Sequence, residues 1–142
     1  MPDVVRSIEI QAPPVAVWRW FGSEAALRRW ISPTLEIDLR IGGHYRLTGP
    51  DASSRISGTV LELVPEDRLV LSWLEEDAGW VNPARLELTL TPSERGTTVM
   101  LVHDGFEGVG TPRWSGIADA YERGADRHRV LERLAELVTD AA

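Results

Sequence analysis

His103 offers the most chemistry in this chain, because it closes a strand-like run, Thr97 to His103, whose alternate positions are Thr97, Val99 and Leu101. Residues two apart on a strand share a face. The same parity on the preceding run places Leu86, Leu88 and Leu90 on the neighbouring strand if the two form a hairpin in simple register. An inward imidazole there can hydrogen-bond a ligand or exchange a proton near neutral pH. The alternative is a strand-end histidine that ties down the loop Asp104-Gly105-Phe106. Glu62 is the second candidate. If it shares the interior with Gly58 and Val60, burial raises its pKa and makes it a base; if Leu61 and Leu63 are the buried face, it stands in water. His128 falls on the stripe of the C-terminal helix, and His44 shares the parity of Arg46 and is expected in solvent.

Aromatic residues supply the rest. Tyr45 and Trp73 share the expected inner parity with Leu47 and with Leu69 and Leu71, and Trp114 and Tyr121 lie on the apolar stripe of the C-terminal helix. Such rings make a flat apolar wall with a polar edge, the usual lining of a small-molecule site, although rings are more often plain core. Trp30, Trp80 and Trp114 fall near element ends, where rim positions are expected. Phe106 and Trp114 flank Glu107-Gly108-Val109-Gly110, a segment suited to a gate. That segment has no phosphate-loop lysine and no GxGxxG arrangement.

The elements that must position these residues are legible. Val4 to Gln11 reads as a strand stopped by Pro13-Pro14, with Pro14 at the first position of a short helix to Phe21. Ser23 caps a second short helix, Glu24 to Ile31. Leu35 to Arg40 alternates as a strand and is turned by Gly42-Gly43 into His44 to Thr48, with Asp38 and Arg40 as a surface pair. Ile56 to Val64, Arg68 to Glu75, Arg85 to Thr91 and Thr97 to His103 are further strands joined by short turns, which makes the sheet antiparallel. From about Pro112 to Val138 the period changes to three and four, one long amphipathic helix with Gly124 as a mid-helix cost of about 1 kcal/mol. A lone helix behind such a sheet buries its stripe most economically if the sheet curls around it.

Composition narrows the function classes. The 142 residues fit one domain, 1–142, and the net charge of −7 makes nucleic acid and anionic membrane unfavourable partners. There is no cysteine, and all fifteen basic residues are arginine, so disulfides, thiolate chemistry, Schiff bases and a P-loop lysine are ruled out. Glu75-Glu76-Asp77 reads as a solvated acidic loop, since hard cations need several converging oxygens. No metal site and no cofactor are expected. Neither a basic-then-apolar leader nor a membrane-length apolar run is seen, so a cytoplasmic protein is expected.

The segments IEIQAPPVAVWRWF, EAALRRW, DLRIGGHYRL, GTVLELVPEDRLVLSW and GTTVMLVHDGF, in this order over nearly the whole chain, resemble the START-like (SRPBCC) helix-grip superfamily of lipid-transfer, polyketide-cyclase and pollen-allergen-like proteins. Within it they resemble the family named for activators of the 90 kDa heat-shock-protein ATPase. The resemblance implies an α+β helix-grip fold, with a curved antiparallel sheet of about six or seven strands around a long C-terminal helix and two short helices after the first strand. It also implies use of the cavity between helix and sheet. The chain departs from such proteins at Gly124-Ala125, where they often carry Gly-Trp.

These readings together predict a protein that binds a hydrophobic or aromatic small molecule for sequestration, transport or sensing. Tyr45, Trp73, His103, Trp114 and Tyr121 are expected to line the site, with Trp30 and Phe106 at its rim. Two rival classes use the same chain differently. A polyketide cyclase or aromatase would use His103 or Glu62 to move protons in the same cavity, and a co-chaperone would act on a heat-shock ATPase through its exterior. A monomer or a homodimer paired through a sheet edge fits any of them.

Overall fold

The computed structural model describes residues 3–49, 54–76, 78–111 and 114–141, and the backbone alone at 126–128. Strand β1 (Val4–Ile10) leads into helix α1 (Pro14–Trp18), a 3-10 turn (Arg19–Phe21) and helix α2 (Glu24–Arg28). Strands β2 (Glu36–Ile37), β3 (His44–Thr48), β4 (Arg55–Val64), β5 (Arg68–Glu75), β6 (Ala84–Ser93) and β7 (Gly96–Asp104) follow, then a 3-10 turn (Phe106–Gly108) and helices α3 (Trp114–His128) and α4 (Val130–Asp140). The strands form one seven-stranded antiparallel sheet in the order β1-β7-β6-β5-β4-β3-β2. This is the helix-grip architecture expected from the sequence.

The short helices form where the local chemistry directs. Pro14 occupies the first turn of α1, where its missing N–H removes no helical bond. Ser23 caps α2 by accepting from the Ala26 amide at 3.1 Å.

Strand parity decides what faces inward. Leu86 pairs with His103, Leu88 with Leu101 and Leu90 with Val99, the simple hairpin register. Leu69, Leu71, Leu88, Leu90, Val99 and Leu101 are buried on that face. Leu131, Leu134 and Val138 of α4 pack against them, and Val17, Phe21, Leu27 and Trp30 close one end. Each such side chain contributes about 1.5–3 kcal/mol on full burial. A second, smaller cluster lies elsewhere on the sheet, around Val4, Ala84, Phe106, Val109 and Ala118, and α3 covers it.

The structure refines three readings. Strand β2 is only two residues long, because Arg40 N bonds Asp38 O and Gly43 N bonds Arg40 O, both at 2.8 Å, which turns the chain early. A Cβ on Gly43 would lie 2.0 Å from the Asp38 carbonyl, so the turn requires glycine there. The pair Arg40–Asp38 forms at 2.8 Å, as expected.

Glu62 is the second, left open by parity between the interior and water. The β4–β5 register shifts between Val60 and Glu62, so that Val60 pairs with Leu71 but Glu62 with Val70. This bulge adds one residue on β4, leaves Leu61 45% exposed and reverses the parity that follows it. Leu63 turns into the core, and Glu62 lies on the outer face, accepting from Arg68 at 2.6 Å with Arg85 at 3.7 Å. Glu62 is therefore not a base in the interior.

The long helix is the third. It is present as two pieces, α3 and α4, broken at Arg129, whose backbone is left-handed at φ 51 and ψ 48. Gly124 lies inside α3, so the break comes after it. The expected start at Pro112 lies outside the described residues. The bend lets α4 face the main core while α3 faces the smaller cluster.

A left-handed arginine is strained by about 1 kcal/mol, because its Cβ crowds the following carbonyl. Arg129→Gly is expected to raise the thermal midpoint and Arg129→Val to lower it. Calorimetry showing both variants unfolding at the wild-type temperature would refute the strain.

Candidate functional site

Five segments bring rings to one place between α3 and the sheet. Strand β5 carries Trp73 and Glu75 to the inner face, and β7 carries His103, with Trp73 opposite Ala84 and His103 opposite Leu86. After Asp104, Gly105 takes φ 84 and turns the chain back, so that Phe106 is 1% exposed. Helix α3 adds Tyr121 from above. Trp80 comes from the loop before β6, which is held to the Phe106 loop by Val81 N to Val109 O at 2.6 Å and Asn82 Nδ2 to Gly108 O at 3.0 Å.

The rings enclose His103. Its imidazole lies 4.9 Å from the Trp73 ring, 4.8 Å from Phe106 and 4.9 Å from Tyr121, centre to centre. Phe106 stacks on Tyr121 at 5.2 Å, and Trp80 meets both edge-on at 6.4 and 6.2 Å. Tyr121 thus touches every other ring of the group. Its hydroxyl accepts from Trp73 Nε1 at 3.0 Å and donates to Glu75 Oε1 at 2.9 Å. Burial pushes this hydroxyl well above the usual phenol range, with the Glu75 carboxylate adding to it and the Trp73 bond only partly opposing.

Two polar atoms in the group are buried without a hydrogen-bond partner, His103 Nε2 and Trp80 Nε1. Burial pulls His103 from its ordinary 6.5 down to about 3, so the imidazole is uncharged at neutral pH. An unmet buried polar group costs about 1–3 kcal/mol. The site therefore offers a neutral ring nitrogen and an indole N–H inside an otherwise apolar wall.

The other expected residues take different places. Tyr45 is buried on the inner face of β3 and donates to the Ser72 carbonyl, its ring crossing Gly58 so closely that a Cβ there would meet Tyr45 Cε1 at 2.8 Å. Burial, and secondarily the nearby Tyr121, pushes its hydroxyl far above the usual range. Trp114 packs, partly buried, against the smaller cluster. The rim expectation fails for two residues. Trp30 is 1% exposed in the main core, donating to Trp20 O at 2.9 Å and meeting Phe21 at 5.0 Å. Phe106 lies inside, against His103, rather than at an edge. The His128 side chain lies outside the described residues.

Glu75 is the residue that sequence reasoning missed, having been grouped with Glu76 and Asp77 as a solvated loop. The signal was there: Glu75 stands two positions from Trp73 and so shares its face. Arg6 was also missed; it lies on the inner side of β1, opposite Leu101, and pairs with Glu122 of α3 at 2.8 Å.

A groove of about 640 Å³ opens elsewhere, at the β2–β3 edge, with Glu24, Glu36, Asp38, Arg46 and Glu76 among its lining. Its charges serve the edge itself: Glu36 accepts from Arg46 at 2.8 Å, and Glu24 accepts from the Ile37 amide at 2.9 Å. Among the described residues, no group of three or more His, Asp or Glu is placed to hold a metal ion. No helix among them is long and apolar enough to cross a membrane.

The sequence pattern of the family described as activator of Hsp90 ATPase homolog 1-like protein matches residues 11–138. Comparison with curated proteins gives no match. Among solved structures, protein MLL2253 from Mesorhizobium loti superposes with a TM-score of 0.80 at 20% identity, over 99% of this chain and 98% of that one. CalU16 from Micromonospora echinospora gives 0.68 at 24% identity, over 96% of this chain and 73% of that one. DynU16, described as a putative protein in the dynemicin biosynthetic locus, gives 0.75 at 19%, over 98% of this chain and 48% of that one. At these identities the likeness is one of fold.

The depressed histidine makes stability depend on pH. Between 6.5 and about 3 the unfolded chain takes up a proton that folded His103 refuses, so stability falls as pH falls through that window. His103→Phe, which keeps a ring in the cluster, is expected to remove about 2–3 kcal/mol of the loss between neutral pH and about pH 4.5. Urea unfolding of both proteins at the two pH values measures it, and equal losses would show that His103 is not buried neutral.

Proposed function

We propose, for a chain that belongs to the activator of Hsp90 ATPase homolog 1-like family, that it binds an apolar or aromatic small molecule between α3 and the inner face of the sheet. Trp73, Trp80, His103, Phe106, Trp114 and Tyr121 form the wall of this site, with Tyr45 beside it. The observation that carries the reading is the buried imidazole nitrogen of His103, unpartnered and enclosed by three rings at the seam of helix and sheet. A ligand that hydrogen-bonds this nitrogen relieves its cost while its ring replaces contacts among aromatic side chains.

Entry is assigned to α3. Among its described side chains Ala118 alone is fully buried, whereas α4 buries Leu131, Leu134 and Val138. Elements that bury little open at low cost, and lids are drawn from them. Binding is favoured over catalysis because Glu62 stands on the outer face and an imidazole that titrates near 3 is a weak base at neutral pH. The origin of DynU16 in a biosynthetic locus is in keeping with a small-molecule role.

Native mass spectrometry of the protein as purified is expected to show a bound organic molecule. Trp73→Ala and His103→Ala are each expected to lower its occupancy by about tenfold, since a buried hydrogen bond or a ring contact is worth about 1–2 kcal/mol. Unchanged occupancy in both variants would place the ligand elsewhere.

A further inference from the structure

Two buried polar atoms of the ring cluster have no hydrogen-bond partner, and neither carries a charge. Trp80 Nε1 is a donor and nothing else, and His103 Nε2 belongs to an imidazole that burial keeps neutral. The charge that borders the rings is negative: Glu75, held against the Tyr121 hydroxyl at 2.9 Å. The arginine on the inner side of the neighbouring β1, Arg6, is engaged with Glu122 at 2.8 Å. A ligand carboxylate entering here would lose its water beside a second carboxylate, and Arg6 is already paired with Glu122.

We infer that the site selects an uncharged aromatic ligand bearing a hydrogen-bond acceptor such as a phenol or carbonyl oxygen, that Trp80 N–H donates to that acceptor, and that Glu75 turns anionic analogues away. The inference rests on the ligand site proposed above and adds the ligand's charge and its polar group. The acceptor is required because an indole N–H left unmet beside a bound apolar ring keeps its full desolvation cost. The exclusion of anions follows from the low dielectric of the cluster, where like charges repel far more strongly than in water.

Two ring-matched probes test this by calorimetry at neutral pH: 2-naphthol, uncharged, and 2-naphthoate, anionic. The wild-type protein is expected to bind 2-naphthol at least about tenfold tighter than 2-naphthoate, the equivalent of about 1.4 kcal/mol. Glu75→Gln is expected to shrink that ratio, while Glu75→Asp, which keeps the charge and alters the reach, preserves it. Trp80→Phe is expected to weaken 2-naphthol about tenfold, the effect of a lost buried hydrogen bond. Equal affinity for the two probes, or a ratio that Glu75→Gln leaves unchanged, would overturn the charge selection and leave the ligand site standing. Failure of both probes to bind would overturn the site itself.

Discussion

One hydroxyl joins the helix to the sheet at the candidate site. Tyr121 of α3 takes the Trp73 indole proton and gives its own to Glu75, so two residues of β5 hold one side chain by both of its hydrogen-bonding functions. A hydroxyl used in both directions has its orientation set, and a fixed Tyr121 ring sets the rings that pack on it. His103, Phe106 and Trp80 are each in contact with that ring. Besides this anchor α3 is held by the Arg6–Glu122 ion pair, by the buried Ala118 and by the partly buried Trp114, Ile117 and Ala125.

The break at Arg129 divides the C-terminal helical segment between a larger and a smaller apolar cluster. The main core gathers leucines and valines from six strands and α4, and burying them contributes most of what opposes chain entropy. The smaller cluster has five fully buried residues, with partly buried rings around them. A straight helix could not serve both, because its apolar stripe would keep one direction. The left-handed residue redirects it, so that α4 packs on the main core and α3 on the smaller cluster.

This division bears on function. In the proposed reading the wall that gives way to a ligand is α3, the element that carries the anchoring tyrosine. The polar content of the site is sparse, uncharged on its inner side and negative at its edge. The groove at the β2–β3 edge differs: it is open and lined largely by charged groups, of which Glu36 pairs with Arg46 and Glu24 accepts from the Ile37 amide.

The sequence by itself determined the antiparallel sheet and the inward direction of Trp73, Tyr45 and His103, because period-two alternation is a local property, and the β6–β7 hairpin has the simple register on which that reading depended. It also determined that two short helices follow the first strand, through Pro14 and the Ser23 cap. Glu75 was legible by the same parity, two places from Trp73. What the tertiary structure decided depends on events that composition does not announce. The bulge after Val60 reversed the parity of Glu62, since one extra residue turns every later side chain over. The burial of Trp30 and Phe106 depended on which loops fold back, and the bend at Arg129 on where two separate clusters lie. The meeting of Tyr121 with Glu75, 46 residues apart, required the sheet and helix to be packed before either residue had a partner.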